Sequence, residues 1–250
     1  MKSLQCFCAP VVRASLAAFL TVTAASTLWA QEDQGPAMIS AILIDVKSDS
    51  VAEFEAAAAD FSAAQEAAGR PFVHVYQRIR GDNLPGFVVF TLDGAYNSLP
   101  QLQPDPSIGN RIGNAVNSVS VVTVAAYGEL GIDSGNMAPG GEFLTTRVRI
   151  TSPSNQQAYF DWHENEFTPA LREGGVTDLR VGRVIAGGNT NTFLRWSYSD
   201  TFPASGGPNV AEAVGQREFQ RLLEGEANLI VASEDYILRF REELSFTAEQ

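Results

Sequence analysis

Residues 44–87 read IDVKSDSVAEFEAAAADFSAAQEAAGRPFVHVYQRIRGDNLPGF, and residues 150–193 read ITSPSNQQAYFDWHENEFTPALREGGVTDLRVGRVIAGGNTNTF. Set side by side at an offset of 106 residues, without a gap, they agree at eleven of 44 positions. The identities are Ile44/Ile150, Ser48/Ser154, Ala52/Ala158, Phe54/Phe160, Phe61/Phe167, Ala64/Ala170, Gly69/Gly175, Val75/Val181, Gly81/Gly187, Asn83/Asn189 and Phe87/Phe193. Chance gives roughly three, so the chain is read first as a duplicated unit. A duplication says more about architecture than about activity, because one fold hosts many chemistries.

Working outward, each copy predicts the same element order. Met38–Val46 alternates and is rich in β-branched residues, as a strand does. Ser48–Ser50 offers capping residues, and Val51–Ala68 is a helix whose Phe54 and Phe61, seven apart, share one stripe. Gly69 stops it. Phe72–Arg80 and Phe87–Leu92 form a hairpin across the turn Gly81–Gly86, a weak helix falls at Ile108–Val119, and Val121–Tyr127 is the fourth strand. The second copy gives a strand at Phe143–Thr151, a helix from about Asn155 to Glu173 and a hairpin from Thr177–Ile185 and Thr192–Tyr198. An amphipathic helix at Ala211–Leu223 and a last strand at Tyr236–Arg241 complete it. The organisation is residues 38–128 as the first unit, 129–141 as a Gly-rich linker, 142–245 as the second unit and 246–250 as a tail.

Each unit is thus β-α-β-β-α-β, the ferredoxin-like plan, in the α+β class. Two helices cover one face of such a sheet and leave the other to be buried. Two units in one chain meet that need by closing on one another. In element order, in the Phe-x6-Phe helix and in the duplication, residues 38–245 resemble the dimeric α/β-barrel superfamily. Its members include the antibiotic-biosynthesis-monooxygenase-like, EthD-like and NIPSNAP-like families. The resemblance implies an intramolecular α/β barrel with a pocket between sheet and helices, one in each half. A pairing satisfied within one chain favours a monomer.

Residues 1–30 read as a secretory signal: Lys2 and Arg13 supply charge, Ala14–Trp29 is uncharged, and Ala30 is a small residue at the cut. Residues 31–37 then form a short tail, and the expected location is periplasmic or secreted, without a stable membrane anchor. Cys6 and Cys8 lie inside the signal, so the cleaved chain has no disulfide and no thiolate. All 29 acids lie outside the signal, and removing two of the 17 bases leaves 15, a net charge of 15 − 29 = −14. That balance argues against nucleic acid and anionic membranes as partners.

The candidates for chemistry are few. His74 and His163 are the two histidines. His74 shares a strand face with Phe72, Tyr76 and Arg78, and Val73, Val75 and Ile79 take the other. If the aliphatic face meets the helices, His74 and Tyr76 point to the barrel side. Trp162, His163 and Glu164 stand where the ungapped alignment puts Ala56, Ala57 and Ala58 in the first copy. Phe160, His163 and Phe167 have i, i+3, i+7 spacing, so His163 lies on or beside the buried stripe, where it can titrate near neutrality, act as a base or ligate haem iron. Its bland alternative is a surface histidine paired with Glu164 or Glu166. Arg147, Arg149, Arg239 and Arg241 lie on strands that neighbour one another in a ferredoxin-like sheet, and Ala41 and Leu43 align with the first two. Four guanidiniums on one face would be neutralised by carboxylates or would hold an anionic ligand. No cofactor is implied, and two separated histidines without cysteine offer no transition-metal site.

Four readings stay open at this stage. They are a binding protein for a small aromatic or anionic molecule, a cofactor-independent monooxygenase or isomerase, an envelope haem-binding protein, and a structural protein with a filled barrel.

Overall fold

The computed structural model describes residues 36–92, 105–132, 139–202 and 210–248. The leader expected over residues 1–30 and most of the tail after it lie outside these. The first half runs β1 (Ala37–Val46), α1 (Val51–Ala67), β2 (Phe72–Arg80), β3 (Gly86–Leu92), α2 (Pro106–Ala115) and β4 (Val116–Ala126). The second runs β5 (Phe143–Thr151), α3 (Gln156–Trp162), a π-helical turn (His163–Phe167), α4 (Thr168–Glu173), β6 (Arg180–Ala186) and β7 (Thr192–Ser199). It continues through α5 (Val210–Val214), α6 (Gln216–Ala227) and β8 (Ile230–Phe240), and the short β9 (Phe246–Thr247) follows.

Eight antiparallel strands close into a barrel in the order β3-β1-β4-β6-β7-β5-β8-β2, with β2 returning to β3. Two seams join the halves. On one, Thr123–Ala126 pairs with residues 182–186; on the other, Tyr76–Arg80 pairs with residues 237–240. Each half alone would expose two strand edges, and closure removes them. The open sheet face expected from the sequence is therefore turned inward. Tyr76, Val88, Val124, Leu144, Val184, Leu194, Trp196 and Leu238 fill the barrel.

The helices cover the outside. Phe54, Ala58 and Phe61 of α1 pack on Val73, Val75, Phe87 and Val89. Tyr159, Trp162, Phe167 and Leu171 pack on Val181 and Phe193 in the second half. Gly69 and Gly175, at φ +75° and +81°, end α1 and α4 in the left-handed region where glycine carries no steric cost. The last described residues serve the first half. Leu244 is buried in its outer core, Ser62 Oγ donates to the Leu244 carbonyl at 2.5 Å, and β9 pairs with Phe72–Val73.

The ungapped offset of 106 holds only in part. Phe87 pairs with Ile44, whereas Phe193 pairs with Arg149, so Arg149 occupies the place of Ile44, not of Leu43. The offset in β1 and β5 is 105. The same holds early in the helix: the buried residues Phe54, Ala57 and Ala58 correspond to the buried Tyr159, Trp162 and His163. From the buried pair Phe61–Ser62 onward the match is Phe167–Thr168, at 106. One extra residue enters between them, and the π turn takes it up. Thr168 N–H bonds the His163 carbonyl five residues back, and Pro169, without an N–H, leaves the Asn165 carbonyl no i+4 donor. The expected alignment of Ala56–Ala58 with Trp162–Glu164, and of Ala41 and Leu43 with the arginines, is corrected accordingly.

Candidate functional site

The π turn shapes the outer face of the second half. On an α-helix, residues five apart point about 140° away from one another. The wider π turn brings Trp162 and Phe167 to the same side, with ring centroids 4.8 Å apart and planes at 25°. Beneath them, β5 alternates. Leu144 and Val148 face the barrel interior, and Arg147 and Arg149 face the helices. Arg195 of β7 is the direct cross-strand partner of Arg147. A cavity of about 190 Å³ lies between sheet and helices, walled by Arg147, Arg149, Arg195, Trp162, Phe167 and Glu226, with Asp235 and α6 side chains completing it.

Three guanidiniums in one cavity need counter-charge. Glu226, in the last turn of α6 and 6% exposed, sends one oxygen into the group. Its Oε1 lies 2.6 Å from Arg195 Nη2 and 3.3 Å from Arg149 Nε, and it accepts a bond from Tyr159 Oη at 3.0 Å. Arg149 Nη1 also donates to Asp235 Oδ1 at 2.7 Å. Burial alone pushes the Glu226 carboxyl up. The Arg195 and Arg149 charges and the bonds from Tyr159 and Arg195 outweigh it, so it stays ionised below the usual glutamate range. Burial raises the Tyr159 phenol, which keeps its proton to donate. Arg195 lies 4.6 Å over the Phe167 ring. Among the described lining residues, three guanidiniums stand with two carboxylates. Burial, then the Arg195 charge, pulls Arg147 down to about 10, with Arg149 adding to the effect and Asp235 and Glu226 opposing it.

His163 stands one ring behind this wall, fully buried among Tyr159, Trp162 and Phe167 at centroid distances of 4.9–5.2 Å. Thr168 Oγ1 donates to the Leu130 carbonyl at 2.5 Å, and a hydroxyl has one hydrogen, so it can only accept from His163 Nδ1, 3.4 Å away. That places the ring proton on Nδ1 and leaves Nε2 without a partner among the described residues. Burial, reinforced by the Arg195 charge, holds the imidazole neutral, well below the usual histidine range. It is not a surface histidine paired with Glu164 or Glu166.

The other candidates sit elsewhere. His74 and Tyr76 face the barrel interior. His74 Nε2 lies 2.9 Å from Thr247 Oγ1, and its ring stacks on Phe72 at 4.5 Å. Tyr76 is fully buried against Phe90 and Phe240. Arg239 and Arg241 do not join Arg147 and Arg149. The register sets Asp235 opposite Arg147 and Arg239 opposite Phe143, four residues or about 13 Å along the strand. Arg239 pairs with Glu142 at 2.9 Å, and Arg241 ties β8 to α1 through Glu55 at 2.5 Å. Sequence reasoning missed Glu226 and Asp235. A signal existed, since Phe219, Leu222 and Glu226 fall at i, i+3 and i+7, putting an acid on the apolar stripe of α6.

Among the described residues the first half does not repeat this arrangement. Ile44, Val89 and Ala58 stand in the places of Arg149, Arg195 and His163, and Leu244 packs over them. Haem does not fit the second. The cavity is smaller than the roughly 300 Å³ at which drug-sized clefts begin, and the His163 ring is sealed by three aromatic rings. Among the described residues no group of three or more His, Asp or Glu side chains is placed to hold a metal ion.

The closed eight-strand barrel with helices outside is the dimeric α/β-barrel, ferredoxin-like fold, and solved structures share it. A protein provisionally named a monooxygenase, from Fusobacterium nucleatum subsp. nucleatum ATCC 25586, matches at a TM-score of 0.59 and 14% identity, over 82% of this chain and 93% of that one. An anthrone oxidase-like protein matches at 0.56 and 12%, over 87% and 95%. A variant chlorite dismutase from Candidatus Nitrospira defluvii matches at 0.53 and 9%, over 84% and 94%. At these identities the likeness is one of fold. No family model matches the chain, and no curated protein does.

Proposed function

We propose that this chain is an exported protein built from two tandem ferredoxin-like units, which binds a small aromatic carboxylate between sheet and helices of its second half. One observation carries the reading: among the described residues, Arg147, Arg149 and Arg195 line a single cavity together with Glu226 and Asp235, so guanidinium groups dominate its polar wall. A wall with three guanidiniums favours an anionic ligand, and guanidinium forks suit a carboxylate. Trp162 and Phe167 offer ring faces beside it. The size sets a limit. About 190 Å³ exceeds the 150 Å³ of an engineered cavity that takes benzene, and it falls short of a drug-sized cleft. A single ring with one carboxylate suits it. The duplication is supported by the common strand order of the halves and their 105- and 106-residue offsets. The periplasmic or secreted location rests on the leader sequence alone.

Binding without turnover is favoured over catalysis by the wall itself. Both carboxylates that line the cavity are engaged with arginines, and neither is poised as a base. The monooxygenase or isomerase reading rests on the bare Nε2 of His163, which must reach past Trp162 or Phe167 to meet a substrate.

Thermal denaturation with benzoate and with benzamide tests the proposal. Benzoate raises the melting temperature and benzamide, of the same shape without charge, does not. Equal shifts from both, or none from benzoate, would overturn it.

A further inference from the structure

A second recess lies inside the barrel, at the end where β1, β2, β5 and β6 begin. Its volume is about 60 Å³. Both halves build it: Ile39, Phe72, His74 and Phe90 from the first, and Leu144, Arg180, Trp196 and Tyr198 from the second. Phe72, His74, Leu144 and Trp196 are buried and form the floor. Ile39, Phe90, Tyr127, Arg180 and Tyr198 are part-exposed and form the rim. It shares no lining residue with the arginine cavity, which is on the outer face of the sheet.

The polar groups here differ in kind from those of the arginine cavity. Arg180 is matched by Asp178, with Nε 3.6 Å from Oδ1, and its guanidinium lies 4.9 Å over the Tyr198 ring. His74 has its Nε2 at Thr247, and burial, then the Arg180 charge, brings its pKa down to about 4, so it is neutral. What is left over is a donor. Trp196 is 5% exposed, its ring packs edge to face on Phe90 at 6.0 Å, and among the described residues its Nε1–H has no acceptor. An indole is a donor only, and nearly all buried donors find a partner.

We propose that this recess is a second binding site, for a small neutral ring compound carrying a carbonyl oxygen, with Trp196 Nε1–H as the donor to that oxygen. The volume says how it enters. A whole benzene ring fills an engineered cavity of about 150 Å³, so a recess of 60 Å³ takes the carbonyl end and leaves the ring among the rim aromatics. Water satisfies the indole less well, because a buried water needs two to four polar partners and these walls are mostly apolar. An anion is not called for, since the one cation of the lining already has Asp178 beside it.

The indole N–H resonances of the ¹⁵N-labelled full chain report this directly, since Trp29, Trp162 and Trp196 are its three tryptophans. Trp196→Phe assigns its own signal. Acetophenone is expected to move the Trp196 indole resonance downfield and leave that of Trp162 in place. Ethylbenzene, without the oxygen, is expected to give no downfield shift, and benzoate to move Trp162 alone. In Trp196→Phe, acetophenone followed by its own ligand resonances binds at least tenfold more weakly, with the fold checked by the retained methyl spectrum. If that variant misfolds, the comparison of acetophenone with ethylbenzene on the wild type still decides, with the Trp196 signal assigned through its sequence neighbours. A Trp196 signal unmoved by acetophenone, or moved equally by ethylbenzene, overturns the proposal whatever benzoate does at the other site.

Discussion

Arg147 and Arg195 stand directly opposite one another on the antiparallel strands β5 and β7, both turned toward the helices. Like charges in that relation destabilise a sheet. The pair persists because Glu226 reaches down from α6 and Asp235 reaches across from β8. The site is thus a charge arrangement held by three elements, and its predictions follow from which charge is altered.

Glu226→Gln removes a counter-charge of the described lining while keeping the side chain's shape. Breaking a buried ion pair in this way costs about 3–5 kcal/mol. The expected result is a lower urea midpoint together with tighter benzoate binding, since the cavity becomes more positive. Loss of both stability and binding would show Glu226 to be part of the ligand's own contact set.

Histidine sets an acid limit on stability. The folded His74 pKa, about 4, lies below its ordinary 6.5, so the unfolded chain binds the proton more readily. Stability from this group is full above pH 6.5 and is lost as pH falls toward 4, a loss of about 3 kcal/mol over that window. His163, shifted the same way, steepens the fall. Urea midpoints measured from pH 7 to 4.5 should decline, and His74→Gln should decline less steeply. An identical slope in the variant contradicts the burial of His74.

Gly225→Ala sets two effects against each other. Alanine is worth up to about 1 kcal/mol over glycine inside a helix. A Cβ at Gly225 would lie 2.8 Å from Trp162 Nε1, and overpacking of that kind costs about 1–3 kcal/mol. The clash should win, lowering the melting temperature and shifting Trp162 emission. A raised melting temperature would mean that Trp162 does not lie against α6.

Leu244→Ala tests whether the C-terminal segment belongs to the first half. Leu244 is 4% exposed in the core beside α1, so truncation should cost about 2–5 kcal/mol in denaturant unfolding. A cost below 1 kcal/mol would show the segment to be a loose tail.

Much of the fold was legible because strand and helix periods differ. Val73 and Val75 against His74 and Tyr76 gave the two faces of β2 correctly, and Phe54 with Phe61 gave the buried stripe of α1. The arginine site was legible only in pieces. Identity at a fixed offset rewards matches such as Ile44 with Ile150, but hydrogen-bond register places Ile44 with Arg149. A single residue absorbed by a π turn leaves no mark in composition, although Pro169 inside a helix hints at one. Grouping Arg147 and Arg149 with Arg239 and Arg241 failed for a related reason. Neighbouring strands were correct, but the register, set by the bulge after Ile150 and the length of β8, was not readable.

The most direct test of the anion site is calorimetric titration of benzoate into the wild type, Arg147→Gln and the surface control Arg239→Gln, at low and high salt. Wild type and control are expected to bind with an affinity that weakens with salt, and Arg147→Gln to bind at least tenfold more weakly. Equal binding by all three proteins would contradict the anion site.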